Sequence, residues 1–136
     1  MKKTIPVIVL LLAFMAAAGC GNVNPRSDSP YVTAKGDTLI VDTTVPGEGI
    51  KGFAGPVPIK VYVVKGRVEG IELGENCETP RFIRRVYNVI TPNWIGLKLK
   101  DAAKADVDAV TGATYSSNAL IENFNLAMKE LGVLPK

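Results

Sequence analysis

The sequence contains no histidine. That absence removes the Ser-His and Cys-His nucleophile pairs, histidine metal sites and the commonest general base, so any chemistry has to come from a cofactor. Neither a catalytic residue nor a metal site is expected of the chain itself. Cysteine is scarce as well: Cys20 and Cys77 are the only two, too few for a disulfide framework. There is no internal repeat. The glycine-dense stretch Gly47 to Pro56 (G-E-G-I-K-G-F-A-G-P) lacks the spacing of a phosphate-cradling loop or a dinucleotide fingerprint. Charge of one sign is lacking too. Sixteen basic residues stand against thirteen acidic ones, and setting aside Lys2 and Lys3 at the extreme N-terminus leaves fourteen. Nothing in that balance points to nucleic acid, and the sequence pI of about 8.9 owes part of its value to those two lysines.

Lys2 and Lys3 precede a run from Ile5 to Ala18 that holds only apolar residues and Pro6, the pattern of a secretion signal. The run ends A-A-G-C. Cys20 thus resembles the lipidated cysteine of a bacterial lipoprotein, with Ala17 where Leu is more usual. Two alternatives stay open. Cleavage after an alanine would release a soluble protein, and an uncleaved run would be a membrane anchor, short against the roughly 20 residues of a span. Three acyl chains on Cys20 would exceed the two lipid signals that stable anchoring needs, giving membrane lipid as a partner. The expected organisation is a signal peptide over 1–19, a flexible tether over 20–30 and one small domain over 31–136, which is too short for two. The tether is read from the polar, breaker-rich G-N-V-N-P-R-S-D-S-P of Gly21 to Pro30. The expected location is the periplasmic or extracellular side of a membrane. With Cys20 acylated, Cys77 has no intramolecular partner and is either buried or a free thiol.

Within the domain, Tyr31 to Ala34 and Thr38 to Val45 read as strands around Lys35-Gly36-Asp37. Val57, Ile59, Val61 and Val63 alternate, Lys65-Gly66 makes a tight turn, and Arg67 to Leu73 returns. Val68 has the opposite parity to Ile71 and Leu73, which predicts a β-bulge near Gly70. In N-C-E-T-P, Thr79 reads as a helix cap and Pro80 as a first helical residue. The helix that follows sets Arg81, Arg84 and Arg85 on one face and Phe82, Val86 and Val89 on another. The arginines read either as a solvated face or as groups that stabilise negative charge or dock an acidic partner. Thr91 to Gly96 is a loop holding Trp94, which either anchors the loop in the core or stacks on a bound ring. Leu97 to Ala105 gives a short helix or turn. A final helix presents Leu120, Phe124, Ala127, Met128 and Leu131 to the core and stops at Gly132 and Pro135. The fold class is α+β, an antiparallel sheet packed against two main helices.

Val107 to Ser117 (V-D-A-V-T-G-A-T-Y-S-S) carries the most pointed chemistry. Thr114 falls where the last helix begins, so its hydroxyl either caps the helix or holds a phosphate. Free first-turn N–H groups and the positive end of the helix dipole converge on Thr114, Tyr115, Ser116 and Ser117, a natural seat for an anion. The run D-A-V-T-G-A-T-Y-S-S resembles the flavinylation motif of the FMN-binding domain family, found in subunits of sodium-pumping quinone reductases and related ferredoxin-oxidising complexes. The resemblance covers roughly Gly52 to Leu131 and implies FMN held covalently, through its ribityl phosphate, on Thr114. It further implies that a separate FAD-dependent flavin transferase installs the group and releases AMP. Asp108 belongs to what that enzyme reads, and Thr111, Gly112, Ala113, Tyr115, Ser116 and Ser117 complete the cofactor site.

Glu78-Thr79-Pro80 is similar to the E-T-P element of the same family, although Asn76 stands where many members have His, and Arg81 and Phe82 replace a glycine-rich continuation. Phe53 reads as a core or turn residue or as a flavin contact. The function implied is an electron carrier tethered to a membrane, exchanging electrons with membrane redox partners. Two alternatives are a lipid-anchored binding or structural domain without flavin and a flavin-dependent reductase.

Overall fold

Ile59, Val61 and Val63 put three branched side chains on one face of a strand, and the neighbouring strands answer them residue for residue. The computed structural model describes residues 28–135. In it β1 (Val32–Lys35), β2 (Thr38–Asp42), β3 (Ile59–Val64) and β4 (Arg67–Leu73) form one antiparallel sheet in that order. Val41 lies opposite Val61, Val61 opposite Ile71, and Val63 opposite Val68. All of these are buried. The expected bulge is present: Tyr62 faces Gly70 while Val63 faces Val68, so Glu69 is the extra residue on β4. That one residue lets Val68 and Ile71 share the core face despite their opposite parity. The β3–β4 turn has Lys65 at φ 51° and Gly66 at φ 75°, the pair of left-handed residues that a two-residue hairpin matched to strand twist requires.

β2 stops at Asp42, short of the expected Val45. The Asp42 carboxylate accepts the N–H of Thr44 at 2.9 Å and its hydroxyl at 2.6 Å, a local turn that competes with the ladder. Thr43 keeps one backbone bond, its N–H donating to the Ile59 carbonyl at 3.0 Å, and its side chain adds two more, accepting the N–H of Ile59 at 2.9 Å and donating to its carbonyl at 3.2 Å.

One face of the sheet is covered by helices. They are α1 (Pro80–Ile90), a 3₁₀ turn at Thr91–Asn93, the short α2 (Leu99–Lys104) and α3 (Thr114–Glu130). α3 lies against β2 and β3, α1 packs on α3, and α2 touches both α3 and β4. α3 buries Leu120, Phe124, Ala127 and Met128, the spacing read from the sequence. It closes with Gly132 donating to Lys129 and Val133 to Met128, the paired bonds that satisfy final-turn carbonyls.

α1 departs from expectation, since its inward residues are Ile83, Val86 and Ile90, and Phe82 and Val89 are exposed. Thr79 stands at the cap position with Pro80 following, but only its backbone carbonyl serves the helix; its hydroxyl makes no capping bond. Trp94 is a core residue, 2 % exposed, its ring stacked on Phe124 with centroids 3.9 Å apart and planes 3° from parallel. Cys77 is an exposed free thiol.

The expected signal peptide, Cys20 and most of the tether lie outside the described residues. The end of the tether is not loose: Ser29 is buried and donates to the Glu130 carboxylate at 2.7 Å, so the folded part reaches back to it.

Candidate functional site

The backbone before α3 is fixed from two sides. Gly112, at φ 84°, occupies the left-handed region that side chains disfavour, and this turns the chain so that Thr114 becomes the first residue of α3. Beneath the loop, the buried Ser117 hydroxyl accepts the N–H of Val110 at 3.0 Å and donates to the Ala113 carbonyl at 2.7 Å. From outside, Arg85 donates to the Thr111 carbonyl. Arg85 is therefore a strut for this loop, while Arg81 lies over the Phe82 ring at 5.3 Å.

Capping does not employ Thr114. Ala113 holds the cap position, and no side chain makes a capping bond there. The Thr114 side chain is exposed. The earliest backbone bond in the helix runs from Ser117 to the Ala113 carbonyl at 3.0 Å, leaving the N–H groups of Thr114, Tyr115 and Ser116 without intrahelical partners.

Thr114 opens on a cleft of about 420 Å³ lined by Phe53, Glu78, Thr79, Phe82, Gly112, Ala113, Thr114, Tyr115 and Ser116. That volume lies within the roughly 300–1,000 Å³ of small-molecule sites. Phe53 is 80 % exposed and Tyr115 is 66 % exposed, with ring centroids 6.3 Å apart and planes tilted by 43°. Two large aromatic rings held near each other in solvent leave apolar surface that a flat ligand would cover.

Glu78 ties the walls of the cleft together. It is 5 % exposed, and its Oε1 accepts the Phe53 N–H at 3.1 Å and the Ser116 hydroxyl, while Oε2 accepts the Ala54 N–H at 2.6 Å. Burial alone would push its pKa up. The hydrogen bonds from Ser116 and from the backbone of Ala54, Phe53 and Gly55 outweigh that, and its carboxyl sits below the ordinary glutamate value.

Of the residues expected at the site, Gly112, Ala113, Thr114, Tyr115 and Ser116 meet at this cleft. Thr111 stands behind it, turned to Arg85, and Ser117 lies beneath it. Asp108 is exposed on the approach loop and does not line the cleft. Phe82 joins the site unforeseen, and Phe53 lies in the cleft wall, not in the core. A signal existed for Phe53, which sits in G-F-A-G outside any strand alternation; none existed for Phe82, which shares its helical spacing with Val86. A neighbouring groove of about 470 Å³ includes Ile71, Asn76, Arg84 and Tyr87 and shares Glu78, but no residue of the Val107–Ser117 run reaches it.

A sequence model of the FMN-binding domain matches residues 52–129. The chain belongs to the FMN-binding domain family. It is a flavin-binding protein, and FMN is its cofactor. No curated protein matches the chain. The matched span begins at Gly52, which opens the turn carrying Phe53, and ends in the last turn of α3, so the whole cleft lies inside it. The residues present suit FMN on their own chemistry. A helix N-terminus with free N–H groups suits a phosphate, and Phe53, Tyr115 and Phe82 suit an aromatic ring system.

Proposed function

We propose that this protein is a membrane-tethered electron carrier whose FMN is joined to Thr114 by a phosphoester. The observation that carries the reading is the Thr114 hydroxyl: exposed, unused by the fold, and set at the mouth of an aromatic-walled cleft beside free helix N–H groups. FMN would supply the one- or two-electron redox chemistry of such a carrier. Thr114 would hold the ribityl phosphate, the first turn of α3 would face its charge, and Phe53, Tyr115 and Phe82 would cover the ring system. The attachment balances as a transfer. The Thr114 oxygen bonds to the FMN-side phosphorus of FAD, the diphosphate bridge breaks, AMP leaves, and the hydroxyl proton goes to solvent. A separate flavin transferase performs it. The test is the intact mass of denatured protein after co-expression with such a transferase, which should rise by FMN less one water.

The transferase has to reach the loop before α3, and Asp108 is exposed there with no role in the core. Asp108→Ala should therefore lower flavin loading several-fold while the thermal melt moves by no more than about 0.5 kcal/mol, as for surface substitutions. Loading equal to that of the parent protein would remove Asp108 from the recognition loop.

Tethering rests on the Lys2-Lys3 start, the apolar run and A-A-G-C at Ala17 to Cys20. Cys20→Ser should turn a membrane-bound protein into unprocessed precursor or a soluble form, read by fractionation and mass. Unchanged processing together with unchanged membrane association would exclude lipidation at Cys20. A lipid tether would keep the domain beside membrane redox partners, and a covalent bond would prevent loss of FMN where none is resupplied.

A further inference from the structure

We propose that Glu78 is the positioning residue of the FMN cleft, a buried anion that fastens the Phe53 turn to the first turn of α3. The inference rests on the flavin reading above and concerns how this chain holds the cleft open at one fixed width. Phe53 and Ala54 are the central residues of a tight turn, closed by Gly52 donating to the Gly55 carbonyl at 2.7 Å and by pairing of Lys51 with Pro56. Such a turn projects two N–H groups that its own closure cannot use. Glu78 takes both, at 3.1 and 2.6 Å. The same carboxylate takes the hydroxyl of Ser116, two residues after Thr114.

Three segments far apart in sequence thus meet at one side chain, and both segments that it binds, the Phe53 turn and the first turn of α3, line the cleft. The approach is close: a Cβ on Gly52 would lie 2.8 Å from Glu78 Oε1 and 3.0 Å from Val57 Cγ2, so glycine is what lets the turn sit on the carboxylate. No cation pairs with Glu78 among the described residues; its charge is met by N–H and O–H donors and by the positive end of α3. All its partners are protein groups. Its work is therefore to set the separation of Phe53 from Thr114 and Tyr115 and to place one negative charge beside the ring system they would enclose.

Those two effects separate by substitution. In Glu78→Gln the charge is gone, and an amide nitrogen stands where an oxygen accepted an N–H, so one wall is released. In Ser116→Ala the charge and both turn bonds remain, and only the link to α3 is lost. On full-length flavinylated protein, Glu78→Gln should weaken the visible circular dichroism of the bound flavin and raise its midpoint potential, since a fixed anion opposes added electrons. Ser116→Ala should weaken the dichroism and leave the potential near that of the parent protein. A folded Glu78→Gln protein with parental dichroism and potential would overturn the proposal. If Glu78→Gln does not fold, Ser116→Ala decides: weakened dichroism supports the positioning role, and parental dichroism overturns it. A parent protein that takes up no flavin would be a failure of the flavin reading itself, visible before any variant is made.

The ionisation of Glu78 also gives the fold a pH dependence of known sign. Its folded pKa lies below the ordinary value. The stabilisation is fully present above the ordinary carboxylate range and is lost as pH falls through that range to the lower folded value. Acid melts of Glu78→Gln should lack that part of the loss, and a Glu78→Gln profile parallel to the parent across the acid range would contradict it.

Discussion

Thr114→Ala should abolish retention of flavin through denaturation while barely changing the stability of the protein. Both halves follow from where the side chain stands. Its hydroxyl is the exposed oxygen at the cleft mouth, so removing it leaves the transferase no nucleophile at that place. It makes no capping bond, and Ala113 holds the cap position, so the fold loses no hydrogen bond. The stability cost is set by an exposed helical substitution and should stay within about 0.5 kcal/mol. A true capping threonine would cost more, up to about 2 kcal/mol. Alanine's better helix propensity offsets part of the change.

Thr114→Ser keeps the oxygen and should keep partial loading. Noncovalent FMN should still bind Thr114→Ala, because the N–H groups of the first turn and the aromatic walls remain. The measurement is a denatured-state absorbance spectrum with a thermal melt on the three proteins. Flavin that survives denaturation on Thr114→Ala would move the attachment elsewhere, and a collapse in melting temperature would show that the hydroxyl carries structure after all.

The sheet was readable because its information is local and periodic. Alternation over Ile59 to Val63, the glycine in the turn and the parity break between Val68 and Ile71 each have one inexpensive solution, and together they place the hairpin and its bulge. The end of β2 was less readable: Asp42 bonds Thr44 through its side chain, a competition that hydrophobic alternation does not register. The site divides along the same line. Gly112 to Ser116 lie together in the chain and form one wall of the cleft as one segment. The rest of the lining comes from Phe82 on α1 and from Phe53, whose turn is held by a buried carboxylate 25 residues further on that also binds Ser116, another 38 residues along. Glu78 in sequence is a charge before a threonine and a proline, and nothing in its neighbours announces that it will be buried. What mispaired the face of α1 was hydrophobicity itself. Phe82 and Val89 are as apolar as Ile83 and Ile90, and only the direction of the sheet decides which set turns inward.

Trp94→Ala should be the most destabilising substitution considered, and it separates the two roles that the residue's chemistry allows. The side chain is 2 % exposed and lies flat on Phe124 of α3 at a centroid distance of 3.9 Å. Truncation removes a large apolar surface from the core and opens a cavity that a 3₁₀ turn and a helix cannot easily close, at a cost of about 3–5 kcal/mol. Against the roughly 5–15 kcal/mol that holds a domain together, that is a large fraction. The damage should spread to the site, because Phe124 belongs to the helix whose first residue is Thr114. Trp94→Phe keeps a ring against Phe124 and should recover much of the loss. Its flavin spectrum should match that of the parent, since Trp94 does not line the cleft. Denaturant unfolding of the flavin-free and flavin-bearing proteins reads both effects. A Trp94→Ala protein within about 1 kcal/mol of the parent, paired with an altered flavin spectrum in Trp94→Phe, would mean that the tryptophan serves the cofactor and that the stacked pair is not what fixes α3 on the sheet.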